Sequence, residues 1–201
     1  MILDHLAVAG ESLADAVAHV EDALGVRMGA GGQHARYGTH NRLIGLDDGL
    51  YLEAIAIDPD ATPPTYSRWF DLDRFTGAAR LANWICRTSN LQAALDGIAQ
   101  DAGVPVKMER GDLRWLMAVP ETGILPMQGA FPAVLQWQVP IPPGERLASS
   151  GCRLAHLDVA HPEASSLAAS LGLQDTRVRF VAGAFALQAT FDTPHGRRVL
   201  S

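Results

Sequence analysis

The sequence is short of lysine and cysteine, and each shortage excludes a class of protein. Lys107 is the single lysine, so an enzyme that forms a Schiff base has almost no candidate nucleophile here. Cys86 and Cys152 are the two cysteines, too few for a disulfide framework, and both lie in apolar, strand-like runs. We interpret them as buried free thiols of a protein from a reducing compartment.

The charge and the hydrophobic runs exclude two kinds of partner. The net charge is −6, and the sequence lacks the clustered lysine and arginine of a nucleic-acid surface. No apolar run reaches the roughly 18–20 residues that a membrane helix needs. The N-terminus begins directly with a strand rather than with a basic, signal-type segment. We therefore expect a cytoplasmic protein that binds neither nucleic acid nor membrane.

Two common catalytic motifs are also missing. The glycine-rich stretch 28–32 is not followed by lysine and serine or threonine, so it is not a phosphate-binding loop. No Gly-x-Ser-x-Gly motif is present, which leaves nucleophilic catalysis without a signature. What remains is a globular composition, with 48% apolar and 19% charged residues. The length of 201 residues suits one domain or two small, tightly fused ones.

The first 58 residues have the pattern of a strand, a helix and three further strands. The helix is predicted over residues 13–25, because apolar residues recur there at helical spacing. Ser12 and Asp15 form an approximate capping box at its start, and Gly25 is a typical stop signal. We treat residues 1–58 as one β-α-β-β-β module.

The same pattern recurs after a proline-rich connector. Residues 59–80 form this linker, which we expect to contain a short helix and an aromatic patch suited to covering a cleft. Residues 81–144 repeat the β-α-β-β-β order as a second module. Residues 151–201 form a third module, which we expect to be truncated and to lack a strand.

Aligning the modules places uncommon polar residues at matching positions. The first strands bring together His5, Asn83 and His156, and the last strands bring together Glu53, Gln136 and Gln188. His5 and Glu53 each lie in an apolar strand, where an unpaired imidazole or carboxylate is costly to bury. Either a divalent metal or a network of hydrogen bonds is needed to satisfy them.

The segments LDHLAVA (3–9) and YLEAIA (51–56) resemble the vicinal oxygen chelate superfamily, which includes glyoxalases, bleomycin-resistance proteins and dihydroxybiphenyl dioxygenases. The stretch from 31 to 59, GGQHARYGTHNRLIGLDDGLYLEAIAIDP, is similar to its glyoxalase-like subgroup. The resemblance implies an α+β fold in which tandem βαβββ modules form a curved mixed sheet with a concave cleft. The helices are expected on the outer face of that sheet.

The resemblance also implies a divalent metal, because superfamily ligands come from the first and last strands of each module. It assigns His5 and Glu53 as metal ligands, with Asn83 and Gln136 at the equivalent positions of the second module. An amide oxygen is a poor ligand for a first-row metal. Zn, Ni, Mn and Fe are not distinguished by the sequence. Either a third strong ligand is supplied by His34, His40 or His156, or the metal has been lost.

Further candidate residues follow from the same comparison. We assign catalytic roles to Glu53, as a ligand or as a base of raised pKa, and to His40, where the similarity to the subgroup is densest. Arg114 lies in an apolar strand and is a candidate for an anionic substrate group, although a strand-edge position is an equal alternative. The residues that we assign to substrate binding are Asn41, Asn83, Trp84, Arg114 and Gln136.

Two functions remain open from the sequence. The first is a metal-dependent lyase or isomerase that acts beside a carbonyl of a small molecule, with ring-cleaving dioxygenation less favoured because only one aligned histidine is available. The second is a non-catalytic protein that binds aromatic or drug-like molecules without a metal. Superfamily modules often pair between chains, so a homodimer is one expectation. Pairing of two modules within one chain is the other.

Overall fold

Strands form most of the secondary structure of the chain. The computed structural model describes all 201 residues, with twelve strands and four α-helices. The strands are β1 (Ile2–Ala9), β2 (Gly31–His34), β3 (Thr39–Gly45), β4 (Tyr51–Ile57), β5 (Arg80–Arg87), β6 (Val104–Arg110), β7 (Leu113–Val119), β8 (Ala133–Trp137), β9 (Arg153–His161), β10 (Val178–Ala182), β11 (Ala186–Thr193) and β12 (Gly196–Leu200). The helices are α1 (Leu13–Leu24), α2 (Leu91–Asp96), α3 (Pro143–Arg146) and α4 (Ala164–Leu171).

Helix α1 forms where the sequence predicts it. The Ser12 hydroxyl accepts a hydrogen bond from the Asp15 backbone N–H at 3.1 Å, which caps the first turn. Gly25 ends the helix with φ +72°, a left-handed conformation that glycine adopts without strain. Helix α2 has six residues and ends at Asp96, and the Asn90 side chain accepts a hydrogen bond from the Ala93 backbone N–H at its start.

Eight strands form one curved sheet in the order β2-β3-β4-β1-β5-β8-β7-β6. Strand β1 pairs in parallel with β4 and antiparallel with β5, and β5 pairs in parallel with β8. Two βαβββ modules therefore join through β1 and β5 within a single chain. The α+β class with tandem modules is confirmed.

The sheet curls until its two edge strands meet. A Cβ added to Gly32 of β2 would lie 2.9 Å from Cδ of Arg110 in β6, so the two edges are in contact. The result is a nearly closed barrel whose inner face is lined by alternate residues of every strand. The cleft expected from the sequence is the interior of this barrel.

The two faces of the sheet belong to separate apolar cores. The inner core contains Ala7, Ile55 and Ile85, and the outer core contains Leu6 and Leu52. Helix α1 lies on the outer face and contacts β4 on one side and β12 on the other. Side-chain direction along each strand thus decides whether a residue can reach the interior of the barrel.

The C-terminal segment forms a second sheet with the order β10-β9-β11-β12. Our expectation of a missing strand is corrected, because this segment has a helix and four strands. The overlooked strand is β12, whose Arg197 and Arg198 are exposed and give no alternating apolar pattern. The strand order also differs from the first module, because β9 lies between β10 and β11 rather than beside the last strand. The segment is therefore not a shortened copy of that module.

The linker crosses the end of the barrel and contains one short 3-10 turn, Trp69–Arg74, which we call the linker turn. Its Trp69 ring stacks on Tyr37 with the centroids 4.8 Å apart. The Asp71 backbone N–H donates to the Gly123 carbonyl at 2.9 Å, which fixes the turn to the loop after β7.

The structure contains no helix with both the length and the apolar character required to cross a bilayer.

Candidate active site in the barrel

His5 and Glu53 face each other inside the barrel. The parallel register of β1 and β4 pairs His5 with Tyr51 and Ala7 with Glu53, so both polar side chains lie on the inner face. His5 is 4% exposed and Glu53 is 5% exposed. The Nε2 atom of His5 lies 3.6 Å from the Oε2 atom of Glu53. The convergence that the sequence predicts for these two groups is present.

A backbone irregularity brings Asp4 beside His5. The pairing of β1 with β5 skips one residue between Leu3 and His5, so Asp4 is the extra residue of a β-bulge. Its Oδ1 atom lies 2.7 Å from Nδ1 of His5, and its Oδ2 atom accepts a hydrogen bond from Trp137 at 2.9 Å. The carboxylate therefore fixes the orientation of the imidazole, with Nε2 directed toward Glu53.

Asn41 holds the other carboxylate. Its Nδ2 atom donates to Oε1 of Glu53 at 2.5 Å, which leaves Oε2 directed at His5. Its Oδ1 atom accepts from the Gly32 backbone N–H at 2.9 Å and from Nη1 of Arg110 at 2.8 Å. Asn41 thus connects the acidic residue of the first module with a cation of the second.

His34 completes the polar cluster. Its Nδ1 atom lies 3.1 Å from the Thr39 hydroxyl, and its Nε2 atom lies 3.4 Å from Nη1 of Arg110. The ring meets Trp69 edge-on, with the centroids 5.0 Å apart. The imidazole is therefore buried between a hydroxyl, a guanidinium and an indole.

A small cavity lies among these groups, and we call it the inner cavity. Its volume of about 30 Å³ is enough for a water-sized molecule. Aromatic side chains form most of the remaining wall: Tyr51, Trp69, Phe70, Trp115 and Trp137. The inner cavity is thus a small, aromatic-walled space with polar groups converging at one side.

Electrostatics push the pKa values of His5 and Glu53 in opposite directions. Burial alone raises the pKa of Glu53, but the nearby imidazole of His5, the charge of His34 and the Asn41 amide together lower it to about 2. Burial alone lowers the pKa of His5, but the carboxylates of Asp4 and Glu53 outweigh burial and raise it above its ordinary value of 6.5. Glu53 is therefore ionised at neutral pH, and the raised pKa that we expect for it from the sequence is wrong. His5 binds its second proton more readily than a free imidazole does.

The pKa of His34 moves the other way. Burial, reinforced by the positive charge of Arg110, lowers it to about 4, although Glu53 opposes the shift. His34 is therefore neutral at physiological pH and can accept or donate one hydrogen bond at each ring nitrogen.

A comparison with protein families identifies the chain. The model of the family described as "Glyoxalase-like domain" matches residues 3–174. The chain belongs to the glyoxalase-like domain family. No curated protein matches this glyoxalase-like protein.

Solved structures show the fold of this glyoxalase-like protein again. A hypothetical protein from Staphylococcus aureus superposes with a TM-score of 0.55 at 16% identity, covering 84% of this chain and 72% of that one. A methylmalonyl-CoA epimerase from Mycobacterium tuberculosis gives 0.42 at 17% identity, covering 67% of this chain and 85% of that one. A complex of the Streptomyces coelicolor epimerase with 2-nitronate-propionyl-CoA gives 0.45 at 15% identity, with 70% and 97% covered. Of these scores only the first exceeds 0.5, and it bears on the fold alone.

Two residues that we assign to the site from the sequence lie on the outer face of the sheet. Trp84 is fully buried in the outer core, and its Nε1 atom donates to the Ala130 carbonyl at 2.9 Å. Gln136 accepts a hydrogen bond from the Leu91 backbone N–H at 2.9 Å, at the start of α2. Both assignments are corrected, because successive strand residues point to opposite faces and the inner positions are occupied by Ile85 and Leu135.

His40 and Arg114 also lie outside the inner cavity. His40 precedes Asn41 in β3 and points to the opposite face, with its Nδ1 atom 4.0 Å from Oδ1 of Asp58. Arg114 is exposed on β7, where it forms an ion pair with Glu109 at 3.3 Å. Their assigned catalytic and substrate-binding roles are corrected, and so is the strand-edge alternative for Arg114, because β7 lies between β8 and β6 in the sheet.

The strand register also changes the metal positions carried over from the superfamily. Glu53 pairs with Ala7 in the first module, and the corresponding pair in the second module is Ala133 with Ile85. Ala133, rather than Gln136, is therefore the counterpart of Glu53. Our sequence alignment of the last strands is therefore wrong by three residues. The apolar residues 133–135 include no acidic side chain that would show which position corresponds to Glu53.

The side chains at the candidate ligand positions provide only some of the ligands that a metal centre needs. The 3.6 Å between His5 and Glu53 suits two ligands about 2.0–2.2 Å from a shared ion, and Asp4 supports the histidine as an outer carboxylate does. The second module offers the amide of Asn83, which lines a different cavity, and the methyl group of Ala133. No group of three or more histidine, cysteine, aspartate or glutamate side chains in the chain has metal-binding geometry. The residues present therefore do not fit the three-ligand centre typical of catalytic zinc.

Sequence patterns do not indicate two important residues of the site. Asp4 reaches the interior through the bulge, whereas alternation places it on the outer face. Arg110 approaches from the far edge strand, which only the closure of the barrel brings near β2 and β3. His34 is a candidate third ligand from the sequence, and the structure places it in the cluster next to Arg110.

Proposed function

We propose that this protein is an isomerase or lyase that moves a proton beside a carbonyl group of a small molecule. The observation that carries the proposal is the buried pair of His5 and Glu53, 3.6 Å apart, with pKa values displaced in opposite directions. Burying such a pair costs free energy that an apolar pair would not cost. A catalytic role accounts for its presence in an otherwise apolar barrel.

The direction of the two pKa values assigns the roles of the pair. Glu53 remains ionised, and we assign its Oε2 atom as the base that takes the proton from the carbon beside the carbonyl. A pKa of about 2 makes it a weak base while His5 is beside it, so this role requires the substrate to separate the two groups and raise that pKa. Protonated His5 is the acid that donates from Nε2 to the oxygen of the substrate, and Asp4 keeps the imidazole in place. Asn41 restrains the second oxygen of Glu53 and so directs the first toward the substrate.

Arg110 supplies positive charge where the substrate oxygen becomes negative. Its Nη1 atom bonds Asn41 and contacts His34, and it has no carboxylate partner. Such a cation in a water-poor site stabilises an enolate-type oxygen. The substrate class supported by this arrangement is a small hydroxy- or oxo-compound with two neighbouring oxygens.

A divalent metal, expected from the sequence as Zn, Ni, Mn or Fe, would have only His5 and Glu53 as protein ligands, one fewer than a catalytic zinc centre uses. When bound, it would supply Lewis-acid polarisation of the two substrate oxygens. The metal would occupy the position of the proton on Nε2 of His5, so His5 either carries that proton or binds the metal. Metal analysis after purification without chelators distinguishes the protonated form of the site from the metal-bound form. One equivalent of metal in the unmodified protein, and none in Glu53→Gln, supports the metal-bound form.

Deuterium exchange tests the proposal even while the physiological substrate is unidentified. Small 2-hydroxyketones and 2-oxoacids are incubated with the protein in D₂O, and loss of the α-proton signal is followed by NMR. We expect exchange with the unmodified protein and a loss of about 10²–10⁴-fold in Glu53→Gln, the usual size of an acid–base contribution. Arg114→Gln, altered on the exposed side of β7, is the matched control and retains exchange. Equal exchange rates in Glu53→Gln and in the unmodified protein contradict the proposal.

A binding protein for aromatic molecules is the second candidate. The indole Nε1 atom of Trp69 is buried without a hydrogen-bond partner at the wall of the inner cavity. A ligand with an acceptor atom would satisfy it. Tight binding of an aromatic ligand, together with no proton exchange and no metal, supports this candidate instead.

A further inference from the structure

A second, larger cavity lies outside the barrel, and we call it the outer cavity. Its volume of about 610 Å³ is within the roughly 300–1,000 Å³ of small-molecule sites. It lies between β5, the linker turn, the loop at residues 124–129 and the start of β11. Phe70 of the linker turn borders both the inner and the outer cavity.

Asn83 is an unsatisfied polar group in the wall of the outer cavity. The residue is 4% exposed, and its Oδ1 atom is buried without a hydrogen-bond partner. Leaving a buried amide oxygen unpaired costs about 1–3 kcal/mol. An N–H or O–H donor of a bound molecule would satisfy this oxygen.

Arg80 supplies a cation at the same cavity. Its guanidinium lies over the ring of Phe75, 4.0 Å from the centroid, and donates to the backbone carbonyls of Thr76 and Ala78. It forms no ion pair with a carboxylate, unlike Arg74 of the same wall, which pairs with Asp71 at 2.7 Å. Arg80 is therefore free to bind an anionic group.

Backbone strain is concentrated around the outer cavity. Five non-glycine residues of the chain have positive φ, and four of them occur as the consecutive pairs Phe70-Asp71 and Met127-Gln128. Phe70, Asp71 and Gln128 border the outer cavity. Such conformations persist where the surrounding structure holds them, and they cluster at ligand sites.

The C-terminal segment contributes an apolar wall to the outer cavity. Phe185, Ala186 and Leu187 line it, and all three lie outside residues 3–174, the part of the chain that the family model matches. The outer cavity is therefore built partly from a segment beyond the matched family region.

We propose that the outer cavity is a second binding site, for an elongated apolar or aromatic acid with a hydrogen-bond donor at the end opposite its anionic group. The acid pairs with Arg80, the apolar body lies against Phe75 and Phe185, and the donor satisfies Asn83. Arg80 and Asn83 are three residues apart in β5, at most about 10 Å along the strand because Ala82 is the extra residue of a bulge, and this distance limits the separation of the two polar ends. This site does not depend on the chemistry proposed for His5 and Glu53.

A fluorescent probe tests this site directly. Toluidinonaphthalene sulfonate has its amine and its sulfonate on opposite sides of the naphthalene ring, and toluidinonaphthalene without the sulfonate is the neutral analogue. We expect saturable binding of the sulfonate, weakened roughly 10-fold or more by Arg80→Gln, because a charge-assisted contact is lost. The affinity for the neutral analogue stays unchanged in Arg80→Gln.

Asn83→Leu provides the independent readout. We expect it to weaken both probes about 3–10-fold through loss of one hydrogen bond. Its melting temperature stays equal or rises, because a buried unsatisfied amide is replaced by an apolar group of similar size. Arg114→Gln and Glu53→Gln keep the affinity of the unmodified protein. Absence of saturable binding, or equal affinities in Arg80→Gln, Asn83→Leu and the unmodified protein, overturns the proposal, whatever the outcome of the exchange experiment.

Discussion

At the scale of single residues, the inner cavity contains a nearly balanced set of charges. Glu53 is negative and Arg110 is positive at the wall of the cavity, and Asp4, behind His5, pairs with Arg87 at 3.3 Å. Desolvation makes such a cluster expensive, and hydrogen bonds only partly offset this cost. The shifts in pKa show how tightly the charges are coupled, and they lead to a pH dependence of stability that can be measured.

We expect His34 to make the fold less stable in mild acid. Its pKa is lowered from 6.5 to about 4 in the folded state, so between these values the unfolded chain binds more protons at this site. Stability therefore falls as the pH drops from 6.5 to 4, by up to about 3 kcal/mol at roughly 1.4 kcal/mol per pH unit. Urea unfolding between pH 4 and pH 7 should show a shallower pH dependence for His34→Gln than for the unmodified protein. Equal slopes contradict this account of His34.

Part of this residue cluster could be predicted from the sequence, for a physical reason. Strand alternation is enough to bring His5 and Glu53 to one face once β1 and β4 are paired. Asp4 and Arg110 could not be found in this way. The bulge that turns Asp4 inward has no local sequence signal, and Arg110 reaches Asn41 only through closure of the barrel, a contact across 69 positions of the chain.

At the scale of elements, the linker turn forms part of the wall of the inner cavity. It carries Trp69 and Phe70 over the barrel, and with the turn in place only a water-sized molecule fits beneath them. A substrate of the proposed reaction would need the turn to move, as lids do in many enzymes. The sequence indicates an aromatic linker, but its attachment to Gly123 depends on a loop of the second module.

We expect Gly123→Ala to displace the linker turn. A Cβ at this position would lie 1.9 Å from the Arg68 carbonyl oxygen, and φ is +73°. Gly77→Ala is the matched control, because φ is +90° there and nothing lies within 4 Å of the added Cβ. Both variants carry backbone strain of the order of 1–3 kcal/mol, but only Gly123→Ala also carries the clash.

Tryptophan fluorescence and thermal unfolding distinguish the two variants. Gly123→Ala should be the less stable of the pair and should expose Trp69 to a soluble quencher. Identical melting temperatures and quenching in the two variants would show that Gly123 does not hold the turn.

At the scale of the whole molecule, one core connects the barrel with the C-terminal sheet. Leu6 and Leu52 of the barrel belong to the same apolar cluster as Leu157 and Phe191 of the second sheet, with Val20 of α1 between them. The division of the chain into modules at residues 1–58, 81–144 and 151–201 stays a prediction. The shared core favours a single folding unit. The first two modules pair within one chain. A homodimer stays a prediction.

We expect the barrel and the C-terminal sheet to unfold together. All four tryptophans lie between residues 69 and 137, so their fluorescence reports on the barrel, on the linker and, through the contact of Trp84 with Phe180, on the boundary with the second sheet. Far-UV circular dichroism reports on the whole chain. Phe191→Ala removes a fully buried ring of the second sheet and should cost about 3–5 kcal/mol. Ile55→Ala, on the inner face of the barrel, is the comparison. Both variants should shift one transition seen by both probes, and a separate transition in Phe191→Ala contradicts a shared core.

The measurement that tests the central claim most directly is the protonation state of His5 by ¹⁵N NMR. With Asp4 and Glu53 on either side, more than half of His5 should carry protons on both ring nitrogens at pH 6.5, its ordinary pKa. In Glu53→Gln the protonated fraction at that pH should fall, because one of the two stabilising charges is gone. A neutral His5 imidazole at pH 6.5, with the same titration in Glu53→Gln, would contradict the assignment of His5 as the acid and Glu53 as the base.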